Sequence, residues 1–351
     1  MDICEAKSND NDELQALQTR CPQGTNLIVS VVNTPDFFAR SKAFELYKVF
    51  IAREGKHILG SAACGLKNVF VSGKVRRVGY GFQAFISPEH RRKGIAGMLH
   101  RHREDYAVQH GAALFYTLVL ENNIPAMRYI KRQGFQLHRD LVMSGLAVFR
   151  EMTTTSDGLV RSALPQDLAA LAELLNETWK GFELYGSASA QGLSQFICRT
   201  PGYDLNNLLV LQDNDHILAC LGYWDLRKIK RTSVDALSLK IRIIGLLIRA
   251  AGIFVQMPRP LKPGDTLKQC IVTPIGFKDV THFSTLLRHL NNHVLQIGIE
   301  QIFLICERDH EMLKAMRGFI RINTTTSLYV KPLRERGLMA DKSIYIDGID
   351  M

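Results

Sequence analysis

Two short stretches far apart in the chain, AMRYIKRQGF at 126–135 and KAMRGF at 314–319, each close an amphipathic run and lead directly into strand-forming sequence. Around them strands and helices recur in the same order. Such repetition constrains a fold strongly, because each copy must bury the same kind of apolar face in the same way. At 351 residues the chain is long for one core and suits two domains of about 150 to 200 residues. The polar run TTTSDG at 153–158 lacks apolar periodicity and reads as the linker between them. The expected division is therefore 1–152 and 159–351.

Within the first part, MDICEA is a strand and Asn9–Asp12 starts a helix that runs through Leu14 and Leu17. YKVFIARE and HILGSAACGL form strands about a turn at Gly55-Lys56, and KNVFV pairs with KVRRVGYGFQAFI about Ser72-Gly73. A helix over Gly94–His110, the strand ALFYTLVL, a helix over Pro125–Arg132 and a strand near LVMSGLAVFR complete one mixed sheet. The second part restarts with the strand LVRSAL and a helix opened by Pro165, with apolar residues at Leu168, Leu171, Leu174 and Leu175. NLLVLQD, HILACLGYW, a helix within 281–298, QIFLICE, a helix over 311–319 and TSLYVKPL follow. The tail KSIYIDGIDM reads as a strand-forming extension.

With 46% hydrophobic and 22% charged residues the composition is that of an ordinary globular protein. Seven scattered cysteines without a CxxC pair indicate neither a zinc site nor a disulfide framework, so no metal is expected. The acidic N-terminus has no signal-peptide character, and the expected setting is cytoplasmic. A net charge of +10 favours anionic ligands. No aromatic stacking pattern accompanies the basic residues, so nucleic acid is not expected.

The stretch ISPEHRRKGIAGMLHRH at 86–102 begins a helix with Arg91, Arg92, Lys93 and Gly94 where acids would ordinarily complement the dipole. Pro88 ends the preceding strand, and Gly94 permits a backbone geometry or close approach closed to other residues. The amides of Arg92, Lys93, Gly94, Ile95, Ala96 and Gly97 then form a cradle for phosphate oxygens. For RRKG alone, a solvated basic turn is the alternative. A second motif follows in ENNIPAMRYIKRQGF: Asn123 satisfies free backbone groups, Ala126 permits close packing, Tyr129 lies on the first turns and Gly134-Phe135 ends the helix.

Together these motifs resemble the GNAT superfamily of acyl-CoA-dependent N-acyltransferases. The family pattern Arg/Gln-x-x-Gly-x-Gly/Ala matches Arg91-Arg92-Lys93-Gly94-Ile95-Ala96, and the pattern Asn-x-x-Ala-x-x-x-Tyr-x-x-x-x-Gly-Phe matches Asn123 and Ala126, with Tyr129 and the Gly134-Phe135 that follows it one place out of step. The resemblance implies an α/β (mixed α+β) fold of two tandem GNAT-like domains, each a mixed, mostly antiparallel twisted sheet flanked by helices. It implies acetyl-CoA as co-substrate, with its pyrophosphate on the cradle and its pantetheine beside the strand ending at Phe85-Ile86. Tyr129 stands where the family often has the general acid for the leaving thiolate. Many relatives carry a carboxylate on the strand before the cradle, yet VGYGFQAFI has none. Gln83 can hold a water there but cannot take a proton. A water relay, a base from another segment such as Glu54, Glu121, His100 or His138, or a weak or lost activity are the alternatives.

The corresponding stretch of the second part, CIVTPIGFKDVTHF, lacks the basic glycine run, and Asp279 reads as an ordinary self-capping residue. That half is expected to have lost coenzyme binding. Its insertion near 235–257, DALSLKIRIIGLLIRAAGIFVQM, is apolar but carries Lys240, Arg242 and Arg249. A helix packed into the domain or lining the cleft is expected in preference to one lying on an anionic membrane surface. The tandem plan with its insertion resembles the plant HOOKLESS-type GNAT-like proteins. The function implied is acetyl transfer to the primary amine of a small molecule or peptide, by direct attack in a ternary complex. The alternative is a CoA-binding regulatory protein with weak or no transferase activity.

Overall fold

The computed structural model describes residues 1–154, 158–334 and 337–351, so the linker expected at 153–158 lies partly outside the described residues. Its first half contains β1 (Asp2–Glu5), α1 (Asn11–Thr19), β2 (Leu27–Asn33), β3 (Leu46–Glu54), β4 (His57–Val71) and β5 (Lys74–Ile86). Then come α2 (Ile95–Gln109), β6 (Leu114–Leu120), α3 (Ile124–Arg132) and β7 (Gln136–Ala147). The second half contains β8 (Leu159–Ser162), α4 (Leu168–Thr178), α5 (Ala190–Arg199), β9 (Leu208–Asp213), β10 (His216–Asp225), β11 (Lys230–Leu237) and α6 (Leu239–Ala251). It closes with β12 (Thr266–Leu267), β13 (Gln269–Phe277), α7 (Val280–Gln296), β14 (Gln301–Glu307), α8 (Met312–Ala315) and β15 (Arg321–Pro332).

The local reasons are those the sequence carries. Leu14 and Leu17 in α1, and Leu171, Leu174 and Leu175 in α4, fall at helical spacing and are buried. The β4–β5 hairpin turns through Ser72 and Gly73, both at positive φ (50° and 74°), the conformation that matches the twist of the flanking strands.

Twelve strands form one sheet in the order β1-β3-β4-β5-β6-β15-β7-β14-β13-β10-β9-β8. Its pairings are antiparallel except for β5 with β6 and β13 with β14. Each half thus repeats the motif of an antiparallel pair followed by a parallel partner, β4-β5-β6 and β10-β13-β14. The ends are exchanged. Chain order would seat β7 beside β6, but β15 pairs with β6, β7 pairs with β14, and β7 and β15 pair with each other at the centre. The exchange leaves neither half with an open edge at the junction, because each supplies the strand that covers the other. Leu141, Leu146, Leu328 and Tyr329 of these two strands are all buried.

One strand goes beyond the sequence reading, and two expectations are overturned. The run LIVSVVN at 27–33, to which no element is assigned from sequence, is β2, and it pairs with β11 of the second half in a separate small sheet completed by β12. The insertion is a strand end followed by α6, and no residue of α6 is buried, so the helix does not pack into the domain. The tail is not a strand. It makes one isolated bridge, Glu183 with Ile344, and ends in a helical turn over Gly348–Asp350. Its apolar residues explain this: Ile344, Ile346 and Ile349 enter the core of the first half while Tyr345 enters that of the second.

Candidate active site

The parallel pairing of β5 with β6 covers only Val78, Gly79 and Tyr80 against Leu114, Phe115 and Tyr116. Beyond Tyr80 the strands diverge and leave a notch. A bulge in β5 drives the divergence: Phe82 opposes Ala63 and Phe85 opposes Ser61, so Gln83 and Ala84 share one partner, and Gln83 takes φ 45°. Gln83 turns its side chain to the loop before β3, accepting from the Ser41 hydroxyl at 3.3 Å and donating to the Phe37 carbonyl at 3.4 Å. It shapes the notch through the backbone. Phe85 and Ile86 continue the free edge of β5 toward the cradle.

The floor of the notch is tightly filled on both faces. On one, Tyr80 stacks on Phe82 at 5.6 Å, Phe44 lies on Phe82 at 5.0 Å, and Tyr80 meets Tyr116 at 5.0 Å. On the other, a Cβ at Gly79 or Gly81 would come within 2.8 Å of the Phe115 ring, so only glycine lets the helix side close on the sheet.

The cradle opens at the outer end. Gly94 is the N-cap of α2 at φ 81°, no side chain caps it, and the first turn carries no acid. Space above it is open, since a Cβ at Gly94 or Gly97 would meet nothing within 4 Å. Arg92 at φ 63° helps turn the chain, and Arg91, Arg92 and Lys93 are exposed around it. An uncapped helix start ringed by cations and freed of side-chain bulk has the donor set and the room for a pyrophosphate. Ile95 is buried, anchoring the turn beneath, while Ala96 presents its carbonyl to the Tyr129 hydroxyl at 2.6 Å. That bond gives Tyr129 a partner on the cradle. Protonating a thiolate requires the phenol to leave it. Asn123 caps α3 by accepting from the Ala126 amide at 3.2 Å, and Ala126 packs with the core beneath α3.

A carboxylate does reach the notch, from the far end of the chain. Asp350 is buried, and its Oδ2 accepts from Tyr116 at 2.8 Å and from Lys67 Nζ at 2.9 Å. Tyr80 donates to its backbone carbonyl. Thus the last residue pair at the apex of the notch, Tyr80 and Tyr116, holds Asp350 from both strands. Burial pushes the Asp350 carboxyl above the usual range, against the pull of Lys67, and burial and the adjacent carboxylate push the Tyr116 phenol well up. The other titratable residues singled out from sequence go elsewhere. Glu54 lies at the β3–β4 turn opposite His57, and Glu121 follows β6 on the surface. His138 is half-buried on β7. His100 is buried between Arg103 and Glu104, and burial lowers its pKa to about 3. Sequence alone offered no means of finding Asp350, which stands 270 residues from Tyr80.

The second half differs in its helix cap and in what fills its notch. Asp279 caps α7 with its own side chain, accepting from the Thr281 amide at 2.7 Å. β13 and β14 pair in parallel only over Gln269–Ile271 and then diverge, as β5 and β6 do. The chain's own tail fills that gap: Tyr345, Ile346 and Gly348 line, with Trp179, Val272, Ile275, Ile305 and Met312, a residual void of about 10 Å³. A Cβ at Gly348 would come within 2.6 Å of the Val272 carbonyl.

A bulged strand, a splayed parallel pair and an uncapped basic helix start together form an elongated site with donors for an anionic ligand at its outer end. Residues 12–135 match the acetyltransferase (GNAT) family. No curated protein matches the chain in sequence. Among solved structures the chain is similar to N-myristoyltransferase of Saccharomyces cerevisiae with bound myristoyl-CoA, at a TM-score of 0.67 and 9% identity over 94% of this chain and 82% of that one. It is also similar to a GCN5-related N-acetyltransferase from Sphaerobacter thermophilus (TM-score 0.58, 12% identity, 97% and 98% covered). A third is the glucosamine N-acetyltransferase region of a fungal multi-domain β-N-acetylglucosaminidase (0.61, 13%, 94% and 38%). The fold is a tandem one of two GNAT-like halves.

Proposed function

We propose that the protein is an acetyl-CoA-dependent N-acetyltransferase acting on a primary amine, with one competent site in the first half. The observation that carries this reading is Asp350 at the notch apex. A CoA-binding regulatory protein is the alternative because β5 carries no carboxylate and the second half lacks a cradle; the tail supplies a carboxylate to the first half. Acetyl-CoA brings an activated thioester. The amine attacks its carbonyl carbon, a C–N bond forms as the C–S bond breaks, and the thiolate leaves to take a proton from solvent. The amine proton passes to Asp350 through the Tyr116 hydroxyl bonded to it; both side chains are 1% exposed, so substrate binding must open a path to this pair. Tyr129 holds the first turn of the cradle. The filled aromatic floor supports a two-carbon acyl group, which needs no tunnel. The second half, self-capped at Asp279 and filled by the tail, serves as the scaffold that delivers Asp350.

The test is CoA release from acetyl-CoA and from long-chain acyl-CoA with a panel of small amines and peptide N-termini. Amine-dependent release from acetyl-CoA at least about tenfold faster than from the long-chain thioester is expected; the reverse order would overturn the acetyl assignment. A base must be unprotonated to act, so activity rises with pH as Asp350 loses its proton. Its acid limb is expected above the ordinary aspartate value of about 3.9 in a kcat/KM profile, and is expected to vanish when Asp350 is changed. Tyr129→Phe is expected to weaken acetyl-CoA several-fold in KM and to leave kcat within about threefold. A fall in kcat of about a hundredfold would return the acid role to the phenol.

A further inference from the structure

Helix α6 stands on the small β11-β2-β12 sheet and turns one narrow side inward. Ile241, Gly245 and Ile248 form that side; Ile241 packs with Leu261 and the small sheet, and a Cβ on Gly245 would touch Pro260 at 3.4 Å. The opposite side is apolar and exposed. Leu239, Ile243, Leu246 and Leu247 fall at i, i+4, i+7 and i+8, a single helical face, and are 73, 49, 61 and 65% exposed. Ile253, Phe254 and Val255 extend it past the helix end at 78, 86 and 57% exposure. Isolated exposed apolar residues are ordinary, but a contiguous outward face of this kind marks a docking surface.

Charge identifies what docks. The sequence from 236 to 264 contains Lys240, Arg242, Arg249, Arg259 and Lys262 and no Asp or Glu. At 100° per residue Lys240 lies on one flank of the apolar face and Arg242 and Arg249 on the other. None of these three is ion-paired among the described residues; Asp265 pairs with Arg259 at 2.6 Å and accepts from the Lys262 backbone amide at 2.8 Å. A second copy of the same surface would bring cations against cations with no acid to meet them. The helix does not span either: among the described residues no helix is long and apolar enough to cross a membrane, and the 13 residues of α6 rise only about 20 Å.

We propose that α6 and the turn after it dock the protein on an anionic lipid surface, with Leu239, Ile243, Leu246, Leu247 and Phe254 below the headgroups and Lys240, Arg242 and Arg249 among them. The helix lies in the plane of the interface. The small sheet beneath it fixes the orientation of the whole protein on that surface, since β2 belongs to the first half and β11 to the second.

The test is sedimentation of the full chain with vesicles of phosphatidylcholine alone and with about one third phosphatidylserine. Binding to the anionic vesicles is expected to exceed that to the neutral ones by about tenfold or more and to weaken as salt is raised. Leu246→Glu with Leu247→Glu should abolish it, and Arg242→Ala with Arg249→Ala should weaken it about tenfold, both with unchanged melting temperature because the side chains are solvent-exposed. No binding to anionic vesicles at low salt, or binding indifferent to both double variants, would overturn the proposal. So would a dimer in free solution that Leu246→Glu with Leu247→Glu dissociates, which would assign the face to a second copy.

Discussion

Asp350→Asn is expected to lower kcat by about a hundredfold to ten-thousandfold, the usual contribution of a positioned general base, while the Kd for acetyl-CoA in calorimetric titration stays within about threefold. The substitution keeps the shape of the side chain and the acceptor for Tyr116, so the loss is one of basicity. Lys67 retains Asp347, 3.9 Å away, as a counter-charge. A parallel Tyr116→Phe variant interrupts the relay and is expected to fall as far. Rates within about fivefold of wild type for both, on protein of normal melting temperature, would remove the tail from the chemistry.

Gly94→Asp is expected to weaken acetyl-CoA binding by about a hundredfold or more, equivalent to about 2.8 kcal/mol. It sets a carboxylate at the mouth of the cradle, where like charges about 4 Å apart in a partly aqueous setting repel by about 4 kcal/mol. Two features make the site sensitive: α2 has no side-chain cap to displace, and the space above Gly94 is open, so the new group occupies ligand volume without disturbing the fold. The φ of 81° is left-handed, a region that Asn tolerates about as well as Asp does. Gly94→Asn therefore separates strain from charge, and is expected to retain most of the affinity. Equal losses in Asp and Asn would mean that the backbone, and not the anion, is what Gly94 serves. The contrast with Asp279 is instructive. There a carboxylate already sits at the helix start, satisfied by the Thr281 amide, and the equivalent notch is filled by Tyr345, Ile346 and Gly348.

Local sequence determined the parts of this protein whose physics is local. Helical spacing in α1 and α4, the Ser72-Gly73 turn, the vacant N-terminus of α2 and the cap at Asn123 all depend on residues within a few positions of one another. Each was readable for that reason, and so was the repeated order of elements. Three features were decided only by tertiary structure. The exchange of β7 and β15 depends on which strand edges compete for a partner, and two halves of the same design offer equivalent edges, so chain order cannot choose. The exposure of α6 depends on what lies over it, which an apolar sequence leaves open: the same residues would suit a buried helix. Asp350 entered the notch because Ile344, Tyr345, Ile346 and Ile349 are drawn into two cores at once, carrying a carboxylate to Tyr116 and Lys67. A side chain brought so far by the burial of its neighbours leaves no periodicity or spacing in the sequence to reveal its destination.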